Sequence, residues 1–221
     1  MIKTYATQDY IKTITHLWLK GNGEVIKLNQ IAKKLSVSNA AVSDMVKKLV
    51  KDDLVISQSY KGIELTDLGF RMGKRLIRHH RLWEVFLHQV LNLPWDEIHD
   101  EAEQLEHAAS EALMNRIDAY LNYPTVDPHG NPIPDKDGNM MDTVSDISLA
   151  ECPIGSVVKI TRFVTFDSEY LDYISSLGLQ VGCEIKLVNR FDFDDSIVCK
   201  LNYKDISLTK LSAEHIYVVV V

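Results

Sequence analysis

The stretch from residue 27 to residue 66, "KLNQIAKKLSVSNAAVSDMVKKLVKDDLVISQSYKGIELT", constrains the fold more tightly than any other part of the chain. Its apolar residues first recur at helical spacing over 28–35. They break at "SVS", resume at helical spacing from Asn39 to Asp52, then alternate around a Lys61-Gly62 turn. Ser38 stands where a helix N-cap is expected. A helix over 7–20, "TQDYIKTITHLWLK", precedes this block and is stopped by "GNGE". Helix, helix, turn, helix, hairpin is the element order of a winged helix-turn-helix. On that reading Ser38, Asn39, Ala40, Ser43 and Asp44 open the recognition helix, short enough to approach base edges. Lys33, Lys34, Lys47, Lys48 and Lys51 stand where phosphates are met.

Charge divides the chain the same way. Residues 1–82 hold 15 Lys and Arg against 7 Asp and Glu, whereas residues 83–221 hold 9 against 24. A basic head on an acidic remainder suits DNA binding joined to something that collects cations. Three widely spaced cysteines, Cys152, Cys183 and Cys199, form no C-x-x-C pair, so they are expected as reduced thiols. No apolar run approaches membrane-span length, and "MIKTYATQDY" has no signal-peptide core; a cytoplasmic protein without a membrane partner is expected.

Beyond the hairpin, the spacing predicts a long helix over 67–91, a second over the stretch "WDEIHDEAEQLEH" at 95–107, and a third through "SEALMNRIDAYL". Their surplus of Leu, Val, Phe and Trp points to a homodimer core. A Pro-, Gly- and Asp-rich segment, "YPTVDPHGNPIPDKDGNMMD", is expected to be irregular. From about Ser148 short β-type runs ("GSVVKITRFV", "CEIKLVNRF", "SIVCKLNY", "HIYVVVV") surround a helical patch, "SEYLDYISSLG", which predicts a small β-barrel. The expected class is mainly α with a small β-barrel. Its divisions are a winged helix-turn-helix over 1–73, a helical metal-binding and dimerisation domain over 74–141, a linker over 142–149 and a barrel over 150–221.

The 95–107 stretch carries the chemistry. His99, Glu103, Glu106 and His107 fall at offsets 0, 4, 7 and 8, one stripe beside the apolar face of a helix. The stripe reads either as a solvated flank or as four nitrogen and oxygen metal ligands. His80 and Glu84 repeat the spacing, and Asp9 sits among apolar residues. Enzyme readings fail: Glu103 to His107 is one residue too long for a di-iron Glu-x-x-His, and no H-E-x-x-H, G-x-S-x-G or phosphate loop occurs.

The segments "DYIKTI", "IAKKLSVSNAAVSDMVKKL", "GIELTDLG", "RHHRLWEVFL", "HDEAEQLEHA" and "DPHGNPIP" together resemble the diphtheria toxin repressor family of metal-dependent transcriptional regulators, in its manganese-transport-regulator branch. The final barrel resembles the Src-homology-like, FeoA-type module. The resemblance implies two metal ions per subunit. One site would use Asp9, Glu103, Glu106 and His107. The other would use Glu84 with the "DPHG" residues Asp127 and His129 and the barrel carboxylate Asp167, and His80 and His99 are open to either. Iron-responsive members carry cysteine where Glu103 stands and methionine where Asp9 stands. Oxygen at both positions favours Mn(II) over Fe(II). Shorter manganese regulators are acidic where this chain has Lys12, which shifts weight to the barrel-completed site. The implied function is metal-triggered repression of metal-transport genes by a homodimer on a palindromic double-stranded operator, with ligation fixing the DNA-binding heads. Alternatives are an Fe(II)- or Zn(II)-responsive relative, or a winged-helix regulator of an organic ligand, which would leave the His/Glu stripe unexplained.

Overall fold

A computed structural model of the chain describes residues 4–21, 23–58, 61–95, 97–140, 145–164 and 168–221. The chain divides into two compact units. The first comprises residues 1–80, 105–111 and 134–139, and the second comprises 81–104, 112–133 and 140–221.

In the first unit, α1 (Tyr5–Lys20) starts at Thr4, whose hydroxyl accepts from Thr7 N at 3.3 Å. It ends at Gly21, whose N–H bonds Leu17 O at 3.0 Å. α2 (Leu28–Lys34) is closed by Lys27 N donating to Gln30 Oε1 at 2.7 Å. α3 (Asn39–Lys51) follows the short "SVS" turn, in which Ser36 adopts φ 53°. Ser38 Oγ accepts from Ala41 N at 3.2 Å, the N-cap expected of it. Val42, Val46 and Leu49 face inward at helical spacing. β1 (Val55–Gln58) and β2 (Gly62–Leu65) pair antiparallel from Val55↔Leu65 to Gln58↔Gly62. Ile26 joins the other edge of β2 through an isolated antiparallel bridge to Ile63. Ile11, Ile14, Ile31, Leu49, Leu54 and Ile63 form the core, so α3 and the hairpin rest on one apolar centre. α4 (Asp67–Gln89) begins in this unit. Gly73 brings it against α1, because a Cβ there would lie 1.8 Å from Thr15 Oγ1.

The second unit holds the rest of α4, α5 (Ile98–Leu105) up to Gln104, and α6 (Glu111–Tyr120) from Ala112. It also holds the C-terminal sheet: β3 (Ile147–Ser148), β4 (Val157–Phe163), α7 (Ser168–Ser176), β5 (Glu184–Arg190), β6 (Ile197–Leu201), β7 (Lys204–Leu208), α8 (Lys210–Glu214) and β8 (Ile216–Val220). The six strands are antiparallel in the order β3-β8-β4-β5-β6-β7. Alternate residues Ile185 and Leu187, Ile197 and Cys199, Ile206 and Leu208, and Ile216 and Val218 fill one core. The ladder is a six-stranded SH3-like sheet with β3 and β7 at its ends. Among the described residues no pairing closes it into a barrel.

The stretch 95–107 departs from a single helix. α5 ends at Leu105, and the N–H of Ala108 bonds back to Leu105 O at 3.2 Å in a tight turn. Glu106 and His107 are therefore presented by a turn, with Glu103 on the helix before it.

Candidate metal centres

The first unit gathers one polar cluster, with Lys12, His80 and Glu106 buried and Asp9 half-buried. α1 contributes Gln8, Asp9 and Lys12, α4 contributes His80, and the turn after α5 contributes Glu106 and His107. The ligand atoms of Asp9, Glu106 and His107 all lie within 4.8 Å of one another. His107 is clamped: its Nδ1 meets Gln8 Oε1 at 3.1 Å and its ring stacks on Tyr5 at 4.9 Å. With Nδ1–H donating to the amide oxygen, Nε2 is aimed at Asp9 Oδ1, 2.9 Å away. An imidazole fixed through one nitrogen could offer the other to a metal ion.

Glu106, 1 % exposed, is divided between two environments. Its Oε2 takes Lys12 Nζ at 2.5 Å and His80 Nδ1 at 2.7 Å. Its Oε1 is buried and accepts no hydrogen bond among the described residues, with His107 Nε2 at 3.6 Å. A buried carboxylate oxygen without a donor is costly, and a divalent cation between Asp9, Glu106 and His107 would satisfy it. The donor set therefore fits a hard divalent ion. A cavity of about 670 Å3, lined in part by Gln8, Arg71, Arg75, His79, Glu106 and His107, adjoins this cluster.

The second unit holds a separate cluster. Glu84, on α4, is 2 % exposed. Its Oε1 lies 3.3 Å from His99 Nδ1 and 3.5 Å from His129 Nδ1. Ligand atoms of Glu84, Asp127 and His129 share a 4.8 Å neighbourhood. The "DPHG" turn is built by Asp127, whose Oδ1 accepts from His129 N at 2.8 Å and Asn131 N at 2.9 Å. Gly130, at φ +86°, lets the turn touch β4, where a Cβ would meet Thr161 O at 2.1 Å. Phe163 N donates to His129 O at 2.9 Å and Asn131 Nδ2 to Phe163 O at 3.1 Å, so the turn docks on the strand. Trp95 completes the wall: Nε1 donates to Pro128 O at 3.1 Å, and its carbonyl takes His129 Nε2 at 3.3 Å. His129 is thus held through Nε2 and offers Nδ1 toward Glu84, the same division of labour as in His107.

Burial, and then the charge of Glu84, raise the Asp127 carboxyl above its ordinary range. Burial alone would lower His129, but Glu84 and Asp127 outweigh it and the imidazole is raised. Two carboxylates crowding one imidazole, with Arg81 Nε 3.4 Å from Asp127 Oδ2, is a set a divalent cation would relieve. Arg81, also bonded to Pro132 O, is a permanent counter-charge that nothing in the sequence singles out.

Lys33, Lys34, Ser38, Asn39, Ala40, Asp44, Lys47 and Lys48 are exposed on α2 and α3 and at their junction, and Ser43 is half-buried. Lys47 pairs with Asp44 at 2.8 Å, and that ammonium holds the Asp44 carboxyl below its usual range. The expected ligand Asp167 lies outside the described residues. Gln8, Lys12 and Trp95 were not foreseen in these roles: their partners are remote in sequence, and the only local hint is that Gln8 and Lys12 share one face of α1.

Residues 4–63 match the iron-dependent repressor N-terminal DNA-binding domain, 66–135 its metal-binding and dimerisation domain, and 147–220 the FeoA domain. The iron-dependent repressor IdeR of Mycobacterium tuberculosis is 33% identical over 187 residues, covering 78% of this chain and 79% of that one. The chain belongs to the diphtheria toxin repressor family. Its members are metal-dependent, DNA-binding transcriptional repressors, not enzymes. The diphtheria toxin repressor of Corynebacterium diphtheriae is 28% identical over 212 residues, 91% of each chain. Among solved structures, a manganese-dependent transcriptional repressor in complex with manganese is similar at TM-score 0.85 and 34% identity. It covers 97% of this chain and 100% of that one. The manganese regulator SloR follows at TM-score 0.82 and 35% identity, covering 97% and 98%. Among the described residues of this repressor, no helix is long and apolar enough to cross a membrane.

Proposed function

We propose that this repressor responds to Mn2+, acting as a cytoplasmic homodimer on a palindromic operator of metal-transport genes. The observation that carries the choice of ion is the donor set. Asp9, Glu106 and His107 in one cluster, and Glu84, Asp127 and His129 in the other, supply oxygen and imidazole nitrogen with no sulfur. Hard oxygen donors suit Mn2+, whereas thiolate or thioether would favour softer ions. His99 and Asp167 would complete the second cluster, and His80 buttresses Glu106 from the side.

A bound divalent cation supplies positive charge that offsets carboxylates otherwise repelling one another. Asp9 carries that demand into α1, and Glu106 and His107 carry it into the turn after α5. Gln8 and Tyr5 hold the His107 ring in place. Fastening α1 to that turn would steady the core on which α3 and the wing sit, favouring the form that binds DNA. By linkage, DNA must tighten metal binding by the same factor. In the second cluster Arg81, Trp95 and the docked turn hold His129 and Asp127 toward Glu84.

The relatives named iron-dependent repressors make Fe2+ the competing ion. The test is anisotropy of a labelled palindromic operator, recovered by in vitro selection, titrated with Mn2+, with Fe2+ under anaerobic conditions, and with Zn2+. Mn2+ promoting binding at the lowest free-ion concentration relative to its own site affinity supports the reading; a response to Fe2+ alone overturns it.

A further inference from the structure

Lys12 is 5 % exposed, and its ammonium sits inside the cluster, 2.5 Å from Glu106 Oε2 and 3.4 Å from His80 Nδ1. A buried lysine is expensive unless a partner justifies it. Here the partner is a side chain that also lines the ion site. We propose that Lys12 is a built-in counter-cation that weakens ion binding at Asp9, Glu106 and His107, and so sets the metal concentration at which the repressor responds.

Two physical effects act in the same direction. The ammonium satisfies Glu106 Oε2 before any ion arrives, so the metal-free cluster is not left with an uncompensated buried carboxylate and gains less from capturing one. It also places a fixed positive charge across a single carboxylate group from the ion at Oε1, in a buried setting where salt screens little. The contact further engages Oε2 and His80 and leaves Oε1 as the free face of Glu106. Lys12 touches the ion only through Glu106 and is a positioning and tuning residue.

The inference rests on the reading of Asp9, Glu106 and His107 as ion ligands, and the experiment separates the two. Metal-depleted full-length protein is titrated with Mn2+ by calorimetry, and the cluster's isotherm is the one that Asp9→Ala removes. Lys12→Gln keeps an N–H donor for Glu106 but no charge, and Lys12→Met is a second neutral variant. Either is expected to lower the Kd of that isotherm about tenfold or more, while Lys12→Arg stays within about threefold of the parent. A purely structural lysine would change melting temperature without tightening the ion. Unchanged or weaker Mn2+ affinity in a folded neutral variant overturns the proposal, as does failure of both neutral variants to fold. If Asp9→Ala leaves every isotherm intact, the site reading falls first and the proposal with it.

Discussion

His107 Nε2 lies 2.9 Å from Asp9 Oδ1, while the same ring's Nδ1 is held at 3.1 Å by Gln8, the residue next to Asp9 on α1. Two consecutive side chains of one helix thus grip both nitrogens of one imidazole. Gln8 does not reach the candidate ion, yet it fixes the tautomer that leaves Nε2 as the donor. Gln8→Leu is therefore expected to weaken Mn2+ binding about 10- to 100-fold while leaving the fold intact, measured by calorimetry beside far-UV circular dichroism. Unaltered affinity would remove Gln8 from the account.

The second cluster depends on a backbone contact. At φ +86° with Thr161 O in the way, Gly130 admits no side chain without displacing the "DPHG" turn from β4. Gly130→Ala is expected to cost about 1–3 kcal/mol in urea unfolding and to lose the Mn2+ isotherm assigned to Glu84, Asp127 and His129. A stable variant with that isotherm intact would show that the turn tolerates what its geometry forbids.

Asp146 anchors the sheet unit by accepting from Thr161 Oγ1 at 2.8 Å and from Arg162 Nε and Nη2 at 2.8 and 2.9 Å. Burial works to raise its carboxyl, but these donors prevail and it lies below the usual range. A depressed folded value means that its stabilisation is present above the unfolded carboxylate's pKa and is lost as pH falls through the folded one. Asp146→Asn should cost about 1–2 kcal/mol at pH 7, a difference that shrinks as the pH of the melt is lowered below about 4. A constant difference across that window would contradict the assignment.

On the proposed DNA face, Lys48 and Asn39 are exposed on α3. Lys48→Ala should reduce the slope of log K against log salt by about 0.9 if the ammonium meets a phosphate. Asn39→Ala should cost about 1–3 kcal/mol and relax preference at one base pair. Filter binding across a salt series, with operator variants, separates the two effects; equal salt slopes and unchanged sequence preference would exclude both residues from the interface.

The winged helix was legible because its signals are local. Ser38 caps the helix that follows it, and Val42, Val46 and Leu49 carry its period. Alternation around Gly62 likewise fixes the wing. Of the side chains that meet in the first cluster, Glu106 and His107 stood out in the sequence as one polar stripe beside an apolar face, whereas Asp9 joined them only through the family resemblance. The end of α5 was not, because continued helical spacing through His107 gives no sign of the Leu105–Ala108 turn. β7 escaped as well: "KDISL" is short and half polar, and it becomes a strand only by pairing with β6. The grip of Lys12 on Glu106 is a tertiary event between residues 94 apart, and no periodicity encodes it.

Whether one ion joins α1 to the turn after α5 is measured directly by anomalous diffraction from crystals grown with Mn2+. The account predicts a manganese peak bounded by Asp9, Glu106 Oε1 and His107 Nε2. Manganese found only elsewhere, with His107 still bridging Gln8 and Asp9, would contradict it.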